Sequence, residues 1–108
     1  GSQLLVPVNH GEGKMIFPEH VSAKKIISDN LAPMQFCTNK GIKAKEFPEN
    51  PNGSTNGITA VTNDDGRFLI MMPHPERSFL NNQLSWTNEK GKHSPWFKLF
   101  LNARNFYS

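Results

Sequence analysis

The run Ile58-Thr59-Ala60-Val61-Thr62-Asn63-Asp64-Asp65-Gly66-Arg67-Phe68-Leu69-Ile70-Met71-Met72 decides how this chain is built. Its two ends, residues 58–62 and 67–72, are rich in β-branched and apolar residues. Its centre, Asn63-Asp64-Asp65-Gly66, holds the residues that reverse a chain, and the whole is the strongest hairpin signal in the sequence. Phe68 to Met72 is apolar without alternation, the pattern of a strand covered on both faces. At the far end, Ser94-Pro95 suits a helix start. Trp96, Leu99, Phe100, Ala103 and Phe106 or Tyr107 then form one apolar stripe.

Working toward the N-terminus, Asn50 to Gly57 and the three residues before them (Phe47, Pro48, Glu49) form a loop nearly free of apolar residues. It is long for a small domain, and long ordered loops often carry function. Met34 to Thr38 reads as a strand and Asn39-Lys40-Gly41 as the turn after it. A helix is expected from about Pro18, with Ala23, Ile26, Ile27 and Leu31 on one face and Asn30 as a left-handed stop. Lys14 to Phe17 reads as a short strand. Residues 3–8 read as another, with Pro7 placing it at an edge or an end. Between these two lies His10-Gly11-Glu12-Gly13, whose glycines permit a tight turn or a close backbone approach to a ligand. Gly1-Ser2 reads as a remnant of tag cleavage and stands outside the fold.

Composition narrows the classes. With 108 residues, of which 36% are hydrophobic, the chain fills one small core and not two ordinary domains. No apolar run reaches the roughly 20 residues of a membrane-spanning helix, and no segment reads as a signal peptide. Cys37 is the single cysteine. It excludes an internal disulfide and a cysteine-rich zinc site, and it points to a reducing, cytoplasmic setting. The net charge of +3 comes from 12 basic and 9 acidic side chains, with the lysines dispersed along the chain. No arginine-rich run accompanies them, which argues against a nucleic-acid partner.

The chemistry concentrates in Met71-Met72-Pro73-His74-Pro75-Glu76-Arg77. An apolar strand stops at a proline, and a histidine and a carboxylate follow two residues apart. A carboxylate beside an imidazole fixes its tautomer and stabilises the imidazolium, which an acid–base histidine requires. A surface turn carrying an ion pair has the same spacing. Two further readings fit less well. His10-Gly11-Glu12 and His74-Pro75-Glu76 each place a carboxylate two residues after a histidine, as the zinc deaminase signature begins. That signature needs a later Cys-x-x-Cys where this chain has only Cys37, and no His-Glu-x-x-His is present. Cys37 could act as a nucleophile with His74, but it lies in the body of a strand and reads better as a buried, inert core residue. Trp86 and Trp96 read as packing anchors. His20 and His93 have no partner recognisable from sequence.

Taken together, His10-Gly11-Glu12-Gly13, Asn50-Pro51-Asn52-Gly53-Ser54 and Met71-Met72-Pro73-His74-Pro75-Glu76-Arg77 occur in an order that resembles the glutaminase domains of the phosphoribosylformylglycinamidine synthases. Ser85-Trp86, Ser94-Pro95-Trp96 and Asn102-Ala103-Arg104 are similar to the large, single-chain form. The resemblance covers nearly all of residues 3–108. It implies an α/β fold of the class I (triad) glutamine amidotransferase type, flavodoxin-like, with a cysteine, a histidine and a glutamate as its triad. By matching motif, His74 is then the base and Glu76 its orienting carboxylate. The resemblance also implies that His10, Gly11 and Glu12 lie beside the glutamine pocket.

In that family the nucleophile sits on an elbow upstream of everything present here, and Cys37 lies on the wrong side of the His-Gly-Glu-Gly motif to be it. Residues 3–108 therefore correspond to the C-terminal half of the domain, carrying two of three triad members. The resemblance implies ammonia supply from glutamine for conversion of formylglycinamide ribonucleotide to the amidine in purine biosynthesis. ATP and magnesium would be held by separate synthetase domains and no cofactor by this chain, which contains no phosphate loop. The implied partners are the first half of the glutaminase domain and those synthetase domains. Without them, open strand edges and an apolar face favour self-association, and the chain alone is expected to be inactive. The alternative from another class is a non-catalytic interaction module that keeps the glutaminase-like fold.

Overall fold

The computed structural model describes residues 3–8, 14–51, 53–84, 87 and 90–107. The chain divides into two compact units, one of residues 10–72 and one joining residues 1–9 to 73–108.

The unit of residues 10–72 is built on the expected hairpin. Strand β2 (Ile58–Thr62) pairs antiparallel with β3 (Leu69–Met71), and β1 (Met34–Gln35) pairs antiparallel with the other side of β2. The resulting sheet has the order β1-β2-β3. Ala60 faces Met34 on one side and Met71 on the other, so β2 is the central strand. Its Ile58 and Ala60 are fully buried and form the core with Phe36 and Ala44. Burying a side chain the size of Ile58 contributes about 1.5–3 kcal/mol.

The hairpin connection is longer than its turn signal predicts. Asn63 Oδ1 accepts the Phe68 N–H at 2.9 Å, Thr62 Oγ1 donates to the Phe68 carbonyl at 2.9 Å, and Asp65 Oδ1 accepts the Arg67 N–H at 3.1 Å. Side chains thus take the N–H groups of Arg67 and Phe68, the Asn63 N–H reaches the Phe68 carbonyl only at 3.3 Å, and β3 begins at Leu69 rather than Arg67. The run Phe68 to Met72 reads as a strand built for cover on both faces, and the apolar face expected to be open when residues 3–108 stand alone is seen: Phe68 is 71% and Ile70 67% exposed. β3 is also the last strand of the sheet among the described residues.

Helix α1 (Ala23–Ser28) starts later than Pro18 suggests. Pro18 instead opens a turn, its carbonyl accepting the Val21 N–H at 2.9 Å. Ser22, in extended geometry, caps the helix by accepting the Lys25 N–H at 3.3 Å. The predicted stop holds. Asn30 has φ 59°, and the Leu31 N–H returns to the Ile26 carbonyl at 3.0 Å. Ala23, Ile26, Ile27 and Leu31 are half-buried as their spacing requires. The strand expected at 14–17 does not form. Met15 is spent on the loop, donating its N–H to Ser54 Oγ and accepting from the Thr55 N–H, each at 2.9 Å.

That loop is ordered from within. Asn50 is 2% exposed and Ser54 3%. The Asn50 side-chain amide donates to the carbonyls of Ala44 and Ser54, and its oxygen accepts the Ser54 N–H at 3.1 Å. After it, Gly57 turns with φ +67° into β2.

The second unit holds residues 3–8, two short 3-10 turns (Pro75–Arg77 and Asn81–Gln83) and helix α2 (Phe97–Tyr107). Residues 3–8 form no strand. The Leu5 carbonyl accepts the Trp96 indole N–H at 2.6 Å and the Pro7 carbonyl accepts the His74 N–H at 3.0 Å, so the segment is held by a side chain and a turn rather than a ladder. Trp96 is buried, as a packing anchor should be. The rest of the helical stripe is less covered than its periodicity implies: Leu99 is half-buried, but Phe100, Ala103, Phe106 and Tyr107 are exposed.

Candidate active site

The sequence Pro73-His74-Pro75-Glu76-Arg77 folds into a 3-10 turn for a local reason. A proline following His74 disfavours helical geometry there, and His74 has φ −113° and ψ 77°. Pro75 then supplies the fixed φ of a first helical position. The turn closes by the Arg77 N–H donating to the His74 carbonyl and the Ser78 N–H to the Pro75 carbonyl, each at 3.0 Å. With the His74 N–H on the Pro7 carbonyl, both main-chain polar groups of His74 are bonded.

The side chains meet in front of this turn. His74 Nδ1 lies 2.6 Å from Glu76 Oε1, with a third of the imidazole and over half of the carboxylate open to solvent. The hydrogen bond from His74 is the main cause holding the Glu76 carboxyl below its ordinary range. Its own backbone amide and the charges of His74 and Arg77 act in the same direction against a small desolvation. With Glu76 ionised, Nδ1 is the donor, and in the neutral form of the ring Nε2 carries the lone pair. An imidazole held this way can accept a proton at Nε2 while its carboxylate partner stabilises the resulting cation.

The other sequence-derived candidates fare differently. His10, Gly11 and Glu12 lie outside the described residues, as does Trp86. Cys37 is exposed, which corrects the expectation of a buried thiol. Successive side chains in an extended segment alternate faces, and its neighbour Phe36 takes the inward position. His93 does have a partner: its ring stacks on Phe97, centroids 4.1 Å apart. Among the described residues no three imidazole, thiol or carboxylate groups gather as a metal site would require. Sequence reasoning passed over Ser78 and Ser94, buried hydroxyls behind the turn. Their signal was slight: Ser94 reads only as a helix start.

Residues 1–107 match the family of CobB/CobQ-like glutamine amidotransferase domains. The chain belongs to that family. This amidotransferase domain is also 44% identical, over 111 aligned residues, to a probable phosphoribosylformylglycinamidine synthase, chloroplastic/mitochondrial, of Arabidopsis thaliana. The match covers 98% of the chain but only 8% of that relative, so the amidotransferase domain spans less than a tenth of the plant protein's length. The plant relative carries an organelle designation. Among the described residues of the amidotransferase domain, no helix is long and apolar enough to cross a membrane.

Proposed function

We propose that this chain is the acid–base part of the glutaminase domain of a phosphoribosylformylglycinamidine synthase, with a class I, flavodoxin-like sheet completed by residues outside 3–108. The observation that carries this reading is the 2.6 Å contact between His74 Nδ1 and Glu76 Oε1 on a turn bounded by prolines. It supports His74 as the base and Glu76 as the residue that orients it.

In this reading a cysteine thiolate outside these residues attacks the side-chain amide carbon of glutamine. The C–N bond breaks, and the imidazolium of His74 protonates the departing ammonia at its Nε2 side. Water, deprotonated by the same nitrogen, then opens the thioester and releases glutamate. The loop of His10, Gly11 and Glu12 holds the amino-acid end of glutamine. Ammonia passes to synthetase domains, where ATP and magnesium support conversion of formylglycinamide ribonucleotide to the amidine. The single exposed thiol fits a reducing, cytoplasmic or organellar interior.

The test is a pair of substitutions in the complete synthase, His74→Ala and Glu76→Gln. Turnover with glutamine should fall by about 10²–10⁴-fold for His74→Ala, the usual span for losing a positioned acid–base group. Turnover with added ammonia should persist, because it bypasses amide cleavage. Parallel loss of both would assign these residues to folding or to domain docking, as the interaction-module alternative requires. The 108-residue chain by itself should show no glutaminase activity above background, and activity abolished by Cys37→Ser would overturn the assignment.

A further inference from the structure

Behind the His74 turn, three segments of the same unit are tied into a closed circuit. The His74 N–H donates to the Pro7 carbonyl at 3.0 Å. Two residues back, the Leu5 carbonyl accepts the Trp96 indole N–H at 2.6 Å. Ser94, two residues before Trp96, donates its hydroxyl to the carbonyl of Ser78 and accepts the Trp96 N–H on the same oxygen at 3.2 Å. Ser78 in turn closes the histidine-bearing turn, through its N–H on the Pro75 carbonyl. The path runs from His74 through the 5–7 segment to Trp96, then through Ser94 to Ser78 and back.

Every link except the Leu5 and Pro7 carbonyls involves a buried residue or the turn itself: Ser78 is 0% exposed, Ser94 4% and Trp96 9%. The Ser94 N–H is also engaged, donating to the Phe79 carbonyl at 2.8 Å. Only a small hydroxyl can donate to Ser78 and accept from Trp96 at once in this space. An alanine would leave a buried carbonyl and a buried N–H without their partner. Glu76 orients the ring from the front, while the main chain that carries it is held from behind by its own amide on Pro7, so the circuit fixes where the imidazole is rooted.

We infer that Ser94 is a positioning residue for His74, acting through Ser78 and Trp96 rather than touching substrate. The inference rests on the assignment of His74 as the base. A small displacement of an acid–base group costs catalysis steeply, about a hundredfold for an ångström. It need not change how glutamine binds.

In the complete synthase, Ser94→Ala should lower glutamine-dependent kcat by roughly ten- to a hundredfold. KM for glutamine and the ammonia-dependent rate should stay at wild-type values. Ser94→Thr, which keeps the hydroxyl, should recover most of the loss. Trp96→Phe removes only the indole donor to Leu5 and should lower the same kcat. It carries the prediction if Ser94→Ala does not fold. A wild-type kcat in Ser94→Ala, a wild-type kcat in Trp96→Phe where Ser94→Ala does not fold, or parallel loss of the glutamine and ammonia reactions would overturn the inference. His74→Ala measured alongside separates the two ideas. If it keeps glutamine-dependent turnover, the acid–base assignment fails. If it is inactive while Ser94→Ala is normal, only the positioning role fails.

Discussion

Nδ1 of His74 and Oε1 of Glu76 stand 2.6 Å apart across a turn of three residues, and the carboxylate titrates below its ordinary value because of that contact. A folded pKa depressed below about 4.5 means that the pair's stabilisation is complete above that pH and is lost as pH falls through the folded value. Glu76→Gln cannot follow this course. The difference in melting temperature between the two proteins should shrink as pH falls below about 4.5. Exposure of the carboxylate keeps the difference small. A difference that does not change on acidification would mean that the contact is absent in solution.

Asn50 makes a sharper case, since it is buried and uses both ends of its amide. Asn50→Asp keeps the shape but turns a carboxylate toward the Ala44 and Ser54 carbonyls that the amide donates to. An uncompensated buried charge of this kind costs about 3–5 kcal/mol. The introduced acid has a raised folded pKa, so the loss is greatest at neutral pH and relieved as pH approaches about 3.9, the unfolded value. Urea midpoints of Asn50→Asp and wild type should converge on acidification. Equal destabilisation at about pH 7 and about pH 4 would show that the charge is not the cause.

Gly57 and Gly66 both have positive φ, at +67° and +72°, but only one is crowded. A Cβ at Gly57 would stand 3.0 Å from the Ala44 carbonyl oxygen and 3.1 Å from that of Phe36, whereas at Gly66 it would meet nothing within 4 Å. Gly66→Ala should therefore cost about 1–2 kcal/mol for backbone conformation alone. Gly57→Ala adds steric conflict with backbone atoms and should cost distinctly more. Chemical denaturation of the two variants decides it, and equal losses would mean that the 44–57 packing gives way easily.

The hairpin, the left-handed Asn30 and the C-terminal helix are legible because local residues dictate them: an Asn-Asp-Asp-Gly reversal, a positive-φ stop and a Ser-Pro start. His74 and Glu76 are legible for the same reason, their contact being set by close spacing and two prolines. What escapes is decided at a distance. Residues 3–8 look like a strand by composition, yet a strand needs a neighbour, and their carbonyls bond Trp96 and His74 instead. Met15 is taken by the buried Asn50–Ser54 loop. Cys37 escapes because its burial depends on which of two adjacent residues faces the core, and Phe36 does. The Ser94–Ser78 bond joins residues 16 apart and leaves no pattern in the sequence.

The open side of β3 leads to a prediction about association. Phe68 and Ile70 alternate onto one face and are 71% and 67% exposed, and no strand flanks β3 beyond β2 among the described residues. An unpaired edge beside apolar side chains is a template for another chain. The 108-residue chain should therefore form dimers, swapped species or larger aggregates as its concentration rises, read by light scattering. Natural edge strands avoid this with lysine, so Ile70→Lys or Phe68→Lys should shift the distribution toward monomer. If these variants associate like wild type while Leu101→Lys does not, the exposed face of α2 carries the contact instead. A wild-type chain that stays monomeric over a wide concentration range would show that neither surface is sticky enough to need a partner.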